Sequence, residues 1–65
     1  MNIIDTRTIM GIAAEVAEGK RTLKSIANEC RHFEKQTNCY EAKAAYTRLS
    51  WCKTRAQFNA VIKSL

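Results

Sequence analysis

Apolar residues along this chain recur every three to four positions rather than at alternate ones, a pattern that predicts helices and no strand. At the helical period, Ile9, Ile12, Ala13 and Val16 fall within a ~100° arc, as one buried helix face requires. Arg7, Glu15 and Glu18 point away from that arc. The first helix is expected to begin after Asp5 as its cap and to end at Glu18, with Gly19 leaving the helix. Ile3 and Ile4 then precede the cap and are expected to fold back over the apolar face. A second helix is predicted from Lys20 or Arg21 to Gln36, where Leu23, Ile26, Ala27, Cys30 and Phe33 make a ~120° stripe.

The stretch from Gln36 to Asn38 has turn character. Asn38 followed by Glu41 approximates a capping box and predicts a third helix from Cys39 to Lys53. This helix is apolar on two sides. Ala42, Ala45, Tyr46, Leu49 and Cys52 form one face, and Tyr40, Ala44 and Trp51 form another roughly opposite. Thr54 is placed to cap a short last helix whose Phe58, Val61, Ile62 and Leu65 follow an i, i+3, i+4, i+7 pattern. No glycine or proline separates the last two segments, so the pattern leaves open one helix or two. The expected architecture is all-α: a single domain over residues 1–65, folded as a compact bundle of three or four short helices.

Length limits what such a bundle can do. The chain has 65 residues, and alanine accounts for nine of its apolar side chains. A domain of this size buries only ~60% of its unfolded surface, and its core rarely supplies more than ~3–5 kcal/mol. Self-association would add stability, whereas a deep catalytic cavity is not expected. The longest weakly polar run, Ile9 to Ala14, is far short of the ~20 residues a membrane span needs. No secretory leader pattern is visible at the N-terminus. Three cysteines without framework spacing point to free thiols, a reducing compartment and a cytoplasmic location.

Charge is unevenly distributed. The formal net charge is +5, yet residues 1–41 balance six basic against six acidic side chains. From Ala42 to Leu65 there is no acid, while Lys43, Arg48, Lys53, Arg55 and Lys63 are present. The C-terminal segment therefore carries the positive field, which favours an acidic partner, whether protein or nucleic acid.

Candidate chemistry is sparse. Cys30, His32, Cys39 and Cys52 are the only soft ligands, and their spacings do not match zinc motifs. Cys30 and His32 point ~160° apart on a helix, so one ion does not readily take both and they do not form a nucleophile–base pair. Ser25, Ser50 and Ser64 lack a nucleophile-elbow context, and no glycine-rich phosphate loop exists. No catalytic residue, metal or cofactor is expected. Lys20, Lys24, Arg31 and Lys35 fall within a ~60° arc of the second helix and span ~22 Å, a row able to follow phosphates. Thr22-Leu23-Lys24-Ser25-Ile26-Ala27 resembles the opening of a helix-turn-helix unit. Where that motif turns, however, this chain continues with Cys30-Arg31-His32-Phe33, and no recognition helix follows closely.

The two-faced third helix carries the leading expectation. Tyr40, Ala44 and Trp51, rimmed by Lys43 and Arg48, suit an aromatic-and-cation docking stripe. The expected function is that of a non-enzymatic regulatory protein, an inhibitor or adaptor, that binds an acidic or amphipathic surface of a larger protein. The alternative is a small basic DNA- or RNA-binding regulator that uses Lys20, Lys24, Arg31 and Lys35.

Overall fold

The computed structural model describes residues 1–65 as four α-helices joined by short turns: α1 (Ile3–Ala17), α2 (Leu23–Gln36), α3 (Tyr40–Ser50) and α4 (Arg55–Ser64). The radius of gyration is 10.5 Å, against ~10.7 Å for a well-packed chain of this length. The predicted apolar faces meet in one core. Ile9, Ile12 and Val16 of α1, Ile26 and Cys30 of α2, Ala42, Ala45, Tyr46 and Leu49 of α3, and Phe58 of α4 are all buried. Leu23, Phe33, Val61 and Ile62 pack around them, partly covered. The α2–α3 pair makes the most extensive helix–helix contact, and Phe33 stacks on Tyr46 across it with ring centroids 5.5 Å apart.

The helix ends correct several expectations. α1 starts earlier than Asp5. Asn2 is its N-cap, and the Asn2 Oδ1 accepts from the Asp5 backbone N–H at 2.8 Å. Ile3 and Ile4 therefore lie in the first helical turn, 67% and 73% exposed, instead of folding back over the apolar face. α2 begins at Leu23, not Lys20, because the Thr22 side chain accepts from the Ser25 backbone N–H and fixes the start there. Cys39, not Asn38, occupies the N-cap of α3, without a side-chain cap bond.

α3 stops at Ser50, three residues short of the expected Lys53, because the chain turns at Trp51; the ends at Gly19 and Thr54 follow the pattern. Gly19 adopts φ +77°, the left-handed conformation that leaves a helix. The Lys20 N–H donates to the Glu15 carbonyl at 2.9 Å and the Gly19 N–H to the Val16 carbonyl at 3.1 Å. These bonds satisfy carbonyls the helix end would otherwise strand. Thr54 caps α4 by accepting from the Gln57 N–H at 3.1 Å. α3 and α4 are thus separate helices, divided by an extended Thr54 rather than by glycine or proline. Arg55 reaches from the start of α4 to donate to the Val16 carbonyl. It supplies a cation to the C-terminal end of α1, whose own last turn has none.

Asp5, read in sequence as a cap, is a buried cross-link. Its carboxylate accepts from the Tyr46 hydroxyl and from the Thr37 hydroxyl, each at 2.7 Å, and so ties α1 to α3 and to the end of α2. Burial opposes ionisation, but the bonds from Thr37, Tyr46 and Asn2 outweigh it and hold the carboxyl below its ordinary pKa. Burial and the facing Asp5 push the Tyr46 phenol up. No helix is long and apolar enough to cross a membrane.

Candidate docking face

α3 buries one side and leaves the other uncovered. Ala42, Ala45, Tyr46 and Leu49 are enclosed, while Tyr40 is 85% and Trp51 68% exposed. Three turns separate the two aromatic residues, ~16 Å along the axis, and exposed Ala44 lies between them. Trp51 stands at the corner where the chain leaves α3. Its N–H donates to the Arg48 carbonyl at 3.2 Å and the Cys52 N–H to the Leu49 carbonyl at 3.3 Å, closing a tight last turn. The backbone beneath the indole is therefore held by hydrogen bonds although the ring itself is open to solvent.

Two shallow grooves flank this ring. One, of about 350 Å³, runs along α3 past Tyr40, Lys43, Ala44, Thr47, Arg48 and Trp51, with Glu34 of α2 on its far wall. The other lies between α3 and α4, where Arg48, Trp51 and Cys52 face Gln57 and Val61. Trp51 and Arg48 border both, so the indole forms a ridge with a cation beside it. All five residues of the sequence-derived stripe, Tyr40, Lys43, Ala44, Arg48 and Trp51, thus line one continuous groove. Glu34 on its opposite wall was not anticipated, because only the packing of α2 against α3 brings it there.

The basic row is only partly retained. Lys20 lies in the turn before α2, where its Nζ pairs with Glu18 at 3.0 Å, so it does not extend the helical row. Lys24, Arg31 and Lys35 are exposed on α2. Lys24 and Arg31 line a third groove of about 480 Å³, whose other wall holds Ser50, Cys52 and Lys53. Lys53 was not singled out from the sequence as part of this row, since it belongs to the α3–α4 turn.

The thiols occupy unlike settings. Cys30 is enclosed in the core, and burial pushes its pKa up to about 11. Burial likewise raises that of Cys52. Cys39, at the start of α3, is held below the ordinary thiol value because its sulfur faces the Ala42 backbone N–H first, with those of Asn2 and Glu41 contributing, although no cap hydrogen bond is closed. His32 lies on the exposed side of α2, away from Cys30. No known protein family, curated protein or solved structure matches the chain.

Proposed function

We propose that this chain is a non-enzymatic docking module that binds an acidic amphipathic segment of a larger protein along α3. The carrying observation is Trp51, which is 68% exposed at the C-cap of a helix whose opposite flank already completes the core. Covering the open parts of Tyr40 (85% exposed) and Trp51 (68%) would remove about 340 Å² from water, taking ~200–250 Å² per ring. Since much but not all of that area is apolar, and a large side chain gains ~1.5–3 kcal/mol on full burial, the two together contribute about 2–5 kcal/mol before the entropic cost of association. Lys43 and Arg48 outnumber Glu34 along this groove and favour carboxylates on the partner. Apolar side chains of the partner would follow the Tyr40–Ala44–Trp51 track.

The test is affinity capture from lysate of the source cell with nuclease added, followed by binding measurements on the purified pair. A nuclease-resistant protein partner that weakens at least ~30-fold with Trp51→Ala, the loss of a hot-spot anchor, supports the reading. A partner held equally well by the Trp51→Ala variant, or capture that nuclease abolishes, contradicts it.

A further inference from the structure

We propose that the groove between α2 and the α3–α4 turn is a binding site for the phosphodiester backbone of duplex nucleic acid, with Lys24, Arg31 and Lys53 as its phosphate contacts. Three cations converge on this groove and no carboxylate lines it. None of the three takes part in an ion pair. Among the acids of α2, Glu29 is occupied by Arg21 and Glu34 lies on the aromatic groove instead. An anion is therefore the complementary ligand.

The cations are also placed. The Asn28 Oδ1 accepts from Arg31 Nη1 at 3.1 Å, orienting the guanidinium and leaving its other N–H donors free. The Gln57 Oε1 accepts from the Lys53 backbone N–H at 2.8 Å, which secures the turn that presents this lysine. Lys24 and Arg31 are two helical turns apart, ~10.5 Å, close to the ~10 Å that three steps of a B-form strand advance along its axis. Lys35 lies one turn beyond Arg31 and continues the row outside the groove.

The occupant follows from what the groove lacks. Its apolar floor is Leu23, Ala27 and Cys52, and no aromatic ring lines it. Proteins that hold single strands stack bases on aromatic side chains, whereas a duplex keeps its base faces stacked inside and is held first through its phosphates. This groove shares no lining residue with the one along α3, so the two proposals stand or fall separately.

Fluorescence anisotropy with a labelled mixed-sequence DNA duplex, the same strand unpaired, and polyglutamate as competitor tests the assignment across a range of salt. The expected result is duplex binding whose log–log salt slope is about −3, for three phosphates neutralised. Lys24→Gln, Arg31→Gln and Lys53→Gln should each reduce the slope by about 1. Lys63→Gln, which removes an equal charge from the far end of α4, should leave it unchanged. Absence of duplex binding at low salt overturns the proposal, as does an equal effect of Lys63→Gln, which would make the attraction one of net charge. Tighter binding of the unpaired strand, or displacement of the duplex by polyglutamate at equal charge concentration, also overturns it.

Discussion

The Asp5–Tyr46 contact gives a sharp test of how the bundle is held together. Tyr46→Phe removes one hydroxyl that donates to a buried carboxylate at 2.7 Å and changes nothing else in the shape of the core. A hydrogen bond to a charged group contributes about 1.5–3 kcal/mol, while the whole core of a domain this small rarely supplies more than ~3–5 kcal/mol. The substitution should therefore lower the melting temperature by roughly 6–24 °C, at 4–8 °C per kcal/mol. Asp5→Ala should cost more, because it strands the fully buried Tyr46 hydroxyl and the Thr37 hydroxyl together. In the double variant Asp5→Ala/Tyr46→Phe the orphaned phenol is gone, so the two costs should fall short of additivity by ~1 kcal/mol or more.

Acid supplies an independent readout of the same contact. The folded-state pKa of Asp5 is depressed, so its stabilisation is present above the ordinary aspartate value of ~3.9 and is lost as pH falls through the folded value. Tyr46→Phe should flatten that acid limb. Urea unfolding followed by far-ultraviolet circular dichroism measures both effects. A Tyr46→Phe protein as stable as wild type at neutral pH, or perfectly additive costs, would refute the cross-link.

Three further outcomes are expected. Gly19→Ala should destabilise by ~1–2 kcal/mol because φ is +77° there, whereas Gly11→Ala, in a helix with open space at its Cβ, should stabilise by ~0.5–1 kcal/mol; paired urea curves decide. Under a thiol-labelling reagent at neutral pH, Cys39 should react first and Cys30 last, and stability should decline as pH rises above ~8.5 toward the Cys30 value of about 11, since the folded state holds that proton more tightly; mass spectrometry of time points and alkaline melts check this. Phe58→Ala should cost ~3–5 kcal/mol and leave little folded protein, whereas Trp51→Ala should cost under ~1 kcal/mol because most of its ring meets only water; comparable losses at the two positions would place the indole inside.

The helical stripes were legible in the sequence because the 3.6-residue period is a local property. Ile9, Ile12 and Val16, Ile26 and Cys30, and Ala42, Ala45, Tyr46 and Leu49 were assigned to the interior from spacing alone, and all are buried. The outward position of Tyr40 and Trp51 followed from the same geometry. Helix starts were less legible where two capping residues compete. Asn2 and Asp5 are both good caps, and the choice is made by Thr37 and Tyr46, 32 and 41 residues away, which draw the Asp5 side chain into the core. Thr22 likewise places Lys20 off the helix by capping two residues later. The grooves were invisible beforehand because each has walls from separate helices or turns, so Glu34 and Lys53 gained a role only once α2 and α3 were packed.

Acrylamide quenching of Trp51, excited where tyrosine does not absorb and read against the partner alone, tests the docking account most directly, since it is the one tryptophan of this chain. In the free chain the indole should be quenched nearly as readily as a small tryptophan derivative in solution. Saturation with the captured protein partner should then protect it and shift its emission to shorter wavelength. An indole already shielded in the free monomer, or one that stays equally accessible when the partner is bound, would contradict the account.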